Sequence, residues 1–161
     1  MELRKVDSGN VWQILALQVQ ESQRNFVATN TESIVEAYCA ISSGGAALPF
    51  GIYDGQTPVG FLMIGYGCLD WEDAPKVAEG SYSIWRLMID GNHQGKGYGK
   101  KAMELALSFI ATRPCGNSDT VWLSYEPENT VAKALYHSFG FRENGEFDHG
   151  EAIALREIPR M

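Results

Sequence analysis

Two rhythms of apolar residues divide the chain. Short continuous or alternating apolar runs near residues 2–6, 47–53, 59–66, 82–89, 121–125, 141–147 and 152–158, bounded by Gly, Pro, Asp and Asn, predict strands. Between them the helical spacing i, i+3, i+4, i+7 occurs at Ile34, Ala37, Tyr38 and Ile41, and again at Met103, Ala106, Leu107 and Ile110. An earlier helix carrying Val11, Ile14, Leu15 and Val19 has Asp7 or Ser8 as its cap, and the second helix is led in by Thr31, Glu32 and Ser33. A last helix follows Asn129, with Ala132, Leu135, Tyr136 and Phe139 on one face and Gly140 suited to the left-handed position past its end. Asp54-Gly55 and His149-Gly150 read as hairpin turns. The resulting order, β-α-α-β-β-β-α-β-α-β-β, is that of an α/β protein with a mixed sheet and helices on both faces. Residues 67–80 form a polar connection longer than hairpins use, which marks a functional loop.

Composition narrows the class. At 161 residues and 45% hydrophobic content, a single domain over residues 1–161 has enough chain for a real core. No run approaches the roughly 18 apolar residues of a membrane span, and residues 1–5 lead into no apolar segment, so a cytoplasmic protein without a membrane partner is expected. Cys39, Cys68 and Cys115 are too few and too scattered for a disulfide framework, and His93, His137 and His149 lack metal-ligand spacing, so no metal is expected. A net charge of -7 and a pI near 4.9 argue against nucleic acid and anionic lipid, and suit a cationic substrate.

The strand at 82–89 runs into Gln94-Gly95-Lys96-Gly97-Tyr98-Gly99 and then a helix from Lys100. Alternating glycines permit positive φ and close backbone approach, and free N–H groups at a helix start favour an anion, so this order makes a diphosphate cradle. Lys96, Lys100 and Lys101 add local positive charge. A nucleoside-triphosphate loop is excluded, because Lys101 stands where Ser or Thr must hold magnesium. A dinucleotide loop fits poorly: its third glycine would fall at Lys100, and Asp119 precedes the next strand instead of ending it. A glycine turn without a ligand remains open on this loop alone.

Gln94, Gly97 and Gly99, between strand and helix, resemble motif A of the GCN5-related N-acetyltransferases. The stretch from Asn129 to Phe141, with its Asn, Ala, Leu-Tyr and Gly-Phe, resembles motif B of the same superfamily. Together with flanking strands the resemblance covers about residues 47–157. It implies a mostly antiparallel sheet whose fourth and fifth strands splay apart to admit acetyl-CoA. It also implies that Gln94, Gly95, Lys96, Gly97, Tyr98, Gly99 and Lys100 bind the diphosphate, and that the backbone of Leu87, Met88 and Ile89 receives the pantetheine arm. Asn129 is a helix cap on physical grounds and a cofactor ligand by resemblance. Tyr136 belongs to an apolar stripe, but the resemblance makes its hydroxyl the general acid for the leaving thiolate and part of the cofactor site. Glu126, at the end of the next strand, is the candidate base, with a turn residue in Glu126-Pro127-Glu128 as the equal alternative.

Trp85 to Asp90, residues 124–129 and Arg24-Asn25-Phe26-Val27 look most like bacterial spermine/spermidine (diamine) acetyltransferases. Glu32, Glu36, Asp70, Glu72 and Asp73, with Trp71 and Phe26 as cation-π walls, are candidates to line a cationic site. The partners so implied are acetyl-CoA and a small amine, with a homodimer as the one protein assembly admitted. Other amine acceptors (an aminoglycoside, an amino acid, a protein N-terminus) and a non-catalytic acyl-CoA-binding module are the alternatives.

Overall fold

Seven strands, Glu2–Lys5 (β1), Ala46–Asp54 (β2), Thr57–Tyr66 (β3), Tyr82–Ile89 (β4), Thr120–Tyr125 (β5), Arg142–Asp148 (β6) and Glu151–Glu157 (β7), form one sheet in the order β1-β2-β3-β4-β5-β7-β6. This computed structural model describes residues 1–67 and 73–159. Every neighbouring pair is antiparallel except β4 and β5, which are parallel and joined by the crossover helix Tyr98–Ala111 (α3). The β4–β5 pairing covers only Tyr82 with Val121 and Ser83 with Trp122. From Ile84 onward the two strands have separated, so one edge of β4 has no strand beside it within the sheet.

Alternation along the strands sorts side chains into two cores. Leu62, Ile64, Tyr82, Ile84, Val121, Leu123, Tyr125, Ala152 and Ala154 pack against α3 and Thr130–Ser138 (α4) through Ala102, Met103, Ala106, Ile110 and Tyr136. On the opposite face Tyr53, Phe61, Met63 and Met88 meet Ile14 of Val11–Leu15 (α1) and Ala37 and Ala40 of Asn30–Ser42 (α2). The β3–β4 register skips a residue: Ile64 faces Ile84 and Met63 faces Arg86, leaving Trp85 extra. Such a bulge breaks alternation. Trp85 therefore packs on the α2 side, and its neighbour Arg86 reaches Glu36 of α2 at 2.7 Å on that side as well.

Three sequence expectations need correction. The first helix stops at Leu15, with Asn10 at its N-cap position, so Val19 lies beyond it. The second begins at Asn30, and Thr29 caps it: the hydroxyl accepts the Glu32 N–H while the Glu32 carboxylate accepts the Thr29 N–H. Its inward face is Asn30, Ser33, Ala37 and Ala40, whereas Tyr38 at 72% and Ile41 at 55% are exposed. Small residues let this helix lie close to the sheet, and buried Asn30 fixes its rotation by donating to the Ile14 carbonyl at 2.8 Å. The third helix starts at Tyr98, two residues before Lys100, because Gly97 takes the left-handed N-cap position at φ 78°.

No helix among the described residues is long and apolar enough to cross a membrane, and no group of three or more His, Cys, Asp or Glu among them could hold a metal. Cys39 and Cys115 are free thiols, and Cys68 lies outside the described residues.

Candidate active site

The separation of β4 from β5 opens a cleft of about 1360 Å³ that runs from the N-terminus of α3 to the β6–β7 turn. At the α3 end, Gly95 and Gly97 hold φ of 76° and 78°. A Cβ at either would meet nothing within 4 Å, so the space in front of both is open. The backbone N–H groups of Gly95, Gly97, Tyr98, Gly99 and Lys100 find no acceptor among the described residues; the first N–H of the turn to close a bond is that of Lys101, to the Gly97 carbonyl at 3.2 Å. These unpaired donors at the positive end of a 14-residue helix suit a diphosphate.

The loop is held from behind. Gln94 turns its amide inward, donating to the Ile89 carbonyl at 3.0 Å and to Gln23 Oε1 at 2.7 Å. The Asp90 carboxylate bonds the Gln18 and Asn92 N–H groups and His93 Nδ1. Burial pushes that carboxyl up, but these bonds outweigh it and hold it below the usual range. Tyr98 donates to Asp54 Oδ2 at 2.7 Å, tying the loop to the β2–β3 turn. Gln94, Gly95, Gly97, Tyr98 and Gly99 line the cleft, while Lys96 and Lys100 are exposed and stand outside its wall. Lys96 bonds the Asn92 carbonyl at 3.4 Å.

Midway along, Leu87, Met88 and Ile89 form one wall at the unpaired edge of β4. Asn129 caps α4 by accepting the Ala132 N–H at 3.2 Å, and its amide nitrogen has no partner among the described residues. Tyr136 lies two turns into α4, 8% exposed, with its ring 5.6 Å from Tyr125 and 6.3 Å from Phe141. Its hydroxyl makes no hydrogen bond among the described residues although the residue lines the cleft. Burial first, and the charge of Glu151 second, push the phenol up to about 12.

The far end is charged. Half-buried Glu126 lines it, and its carbonyl accepts the Asn129 N–H at 2.9 Å. Of the acids expected there, Glu32 and Glu36 line the cleft from α2 and Asp73 from the connection after β3, and Phe26 lines the cleft as well. Asp70, Trp71 and Glu72 lie outside the described residues.

The acetyltransferase (GNAT) family matches residues 12–141, most of the chain. The chain belongs to that family. It is an acetyl-CoA-dependent N-acetyltransferase. Among relatives, the spermine/spermidine N(1)-acetyltransferase of Bacillus subtilis (strain 168) is 29% identical over 160 residues, covering 98% of this chain and 99% of its own. The spermidine N-acetyltransferase of Vibrio cholerae, solved with CoA and spermine, superposes with a TM-score of 0.68 at 21% identity, over 97% of this chain and 94% of its own. The aminoglycoside acetyltransferase AAC(6')-Ib, solved with coenzyme A, superposes at 0.78 with 14% identity, over 97% and 94% of the two chains.

In this acetyltransferase the structure adds three residues to the site that sequence reasoning missed: Arg86, Ser124 and Glu151. Arg86 reaches the cleft because of the β4 bulge, which a strand pattern does not reveal. Ser124 pairs with Ile153 across β5 and β7, so Glu151, two residues along β7 on the same face, becomes its diagonal neighbour. Ser124 Oγ donates to Glu151 Oε2 at 2.5 Å. Burial pushes the Glu151 carboxyl up; Ser124 and Arg86 pull it down, and Glu126 and Asp148 push it further up, so that it ends above the usual carboxylate range. An acid just after a hairpin turn reads as a solvated residue, and only the placement of β7 between β5 and β6 turns it inward.

Proposed function

We propose that this acetyltransferase moves the acetyl group of acetyl-CoA onto a primary amine of a polyamine such as spermine or spermidine, by direct attack with both substrates bound. The observation that carries the reading is the opposite electrostatic character of the two ends of one cleft. Backbone donors at the α3 end suit a diphosphate. The other end gathers Glu32, Glu36, Asp73, Glu126, Asp148 and Glu151; of the two arginines that line the cleft, Arg86 is paired with Glu36 at 2.7 Å and Arg24 lies 3.9 Å from Glu21. A surplus of carboxylates around an apolar slot containing Phe26 and Trp122 suits an extended polycation. The name of the Bacillus subtilis relative, similar along its whole length, supports the same acceptor.

Roles follow from position. The backbone of Leu87 to Ile89 and the free amide of Asn129 line the path between the two ends and would hold the pantetheine arm. Tyr136, kept protonated by its raised pKa, offers a hydrogen bond and then a proton to the departing sulfur. Glu126 and Glu151 are the carboxylates placed to accept the proton that an alkylammonium, with a pKa near 10, must lose before it attacks. The test is CoA release against a panel of polyamines, monoamines, aminoglycosides and amino acids. Spermine and spermidine are expected to give the highest kcat/KM. CoA binding without release for any amine would instead make the chain a binding module.

A further inference from the structure

We propose that Glu151 is the group that takes the proton from the acceptor ammonium, with Ser124 as the residue that positions its carboxylate. This rests on the amine-acetylation reading above and decides between the two carboxylates it leaves open. Glu151 lines the cleft from the first position of β7, and its neighbours Ala152 and Ala154 face the α3–α4 core, so its own side chain points the other way. That is the face on which Trp85 and Arg86 emerge from β4, across the splay. Ser124 occupies Oε2, and no other hydrogen bond to this carboxylate exists among the described residues, which leaves Oε1 without a partner in a residue that lines the cleft. Glu126 has no such anchor: its carboxylate makes no hydrogen bond or ion pair among the described residues.

Charged groups surround Glu151 from every side of the cleft. Arg86 acts from β4 and is itself paired with Glu36 of α2, Glu126 acts from the end of β5, Asp148 and His149 from its own hairpin, and Tyr136 from α4. Burial and the two neighbouring acids make Glu151 a stronger proton acceptor than an ordinary carboxylate. The coupling to Tyr136 also works in the right direction. A negative Glu151 helps to keep the phenol protonated, and when Glu151 accepts a proton that influence vanishes, so Tyr136 becomes the better acid as the carbon–sulfur bond breaks. The N–C bond forms, the C–S bond breaks, and of the two protons the ammonium sheds, one ends on sulfur and the other passes through Glu151 to solvent.

The experiment compares pH profiles of kcat/KM for wild type, Glu151→Gln, Glu126→Gln and Ser124→Ala, with spermine or whichever amine the panel shows to turn over. In wild type kcat/KM should rise through the pKa of Glu151 and level off. In Glu151→Gln it should fall about a hundredfold or more at pH 7 and climb about tenfold per pH unit toward the pKa of the amine, because only the free base can react. Glu126→Gln should still level off, at a lower kcat/KM because one carboxylate facing the amine is gone, and move the rise to lower pH, since Glu126 raises the Glu151 pKa; Ser124→Ala should move the rise to higher pH, since the Ser124 hydrogen bond lowers it.

A readout independent of turnover is thermal unfolding. A carboxyl whose folded pKa is raised costs stability progressively as pH rises from the unfolded to the folded pKa, so Glu151→Gln should melt higher than wild type at pH 7, and the gain should shrink as pH falls through the folded pKa and be gone below the unfolded Glu pKa of about 4.3. A Glu151→Gln enzyme with a wild-type plateau, or one that melts no higher at pH 7, overturns the assignment; loss of the plateau in Glu126→Gln transfers it to Glu126. If wild type turns over another amine but not polyamines, the acceptor reading fails while the assignment of Glu151 is still decided on that amine.

Discussion

Tyr136 sits between two roles that a single atom separates. Its ring belongs to the core beside Tyr125 and Phe141, and its hydroxyl is the part left for the cleft. Tyr136→Phe keeps the ring contacts and removes the proton. Its kcat should fall about a hundredfold or more while the affinity for acetyl-CoA, measured by calorimetry, changes little. Near-normal kcat with chemistry rate-limiting would return Tyr136 to packing alone. Gly97 is the opposite case, where absence of a side chain is the function. Its φ of 78° disfavours any branched residue, and a Cβ there would project into the space in front of the free N–H groups. Gly97→Val should raise the KM for acetyl-CoA about five- to thirtyfold, the equivalent of the roughly 1–2 kcal/mol that a left-handed conformation costs an L-residue. An unchanged KM in a folded variant would remove the loop from the diphosphate site.

At the scale of elements, what was legible in the sequence followed from local rules, and what was not depended on neighbours. Strand β4 and the stripe Met103, Ala106 and Ile110 of α3 emerge as read, because buried strands and one-sided helices carry their period in the chain itself. Asn129 and Gly140 cap α4 as expected, each for a local reason: a side-chain oxygen for one, a φ of 85° for the other. Helix α2 shows the limit. Its apolar period pointed to Tyr38 and Ile41, but the close approach of the sheet selects Ser33, Ala37 and Ala40, and no local signal reports that distance. The acceptor end of the cleft was half legible for the same reason. Glu32, Glu36 and Asp73 lay on a helix and a connection whose presence was read, though the helix's start and face were not, whereas Arg86 depends on a bulge and Glu151 on a strand inserted out of sequence order. Because α2 presents Glu32 and Glu36 to the cleft, its N-terminal cap positions both. Thr29→Ala should destabilise the fold by about 1 kcal/mol, a drop of about 2–4 °C in Tm for a chain of this size, because it removes the bond the hydroxyl accepts from the Glu32 N–H and the one it donates to the Glu32 carboxylate, while the backbone N–H bond to that carboxylate remains. An unchanged Tm would mean that packing on the sheet, not the cap, fixes this helix.

Across the whole molecule, a formal charge of -7 is distributed so that acids collect where the amine would enter and the free backbone donors collect where the diphosphate would lie. The sheet keeps the two apart, since β4 and β5 part only after Ser83 and Trp122 and the cleft spans the break. This arrangement predicts how the enzyme discriminates by charge number. On the proposed reading a polyamine would place one ammonium at the reacting centre and a second among the remaining carboxylates, whereas a monoamine of equal length would reach only the first. At low ionic strength spermine or spermidine should therefore exceed such a monoamine in kcat/KM by about fivefold or more, each additional ammonium-carboxylate contact contributing about 1 kcal/mol in partly solvated surroundings. Because Glu36, Asp73 and Glu126 keep contact with solvent, the advantage should shrink as salt shortens the screening length from about 30 Å at 0.01 M to about 3 Å at 1 M. The contribution of Glu151, held deeper by Ser124, should persist. Kinetics at several salt concentrations for a polyamine and its matched monoamine read both effects at once, and equal kcat/KM for the two at low salt would refute the polycation reading of this end of the cleft.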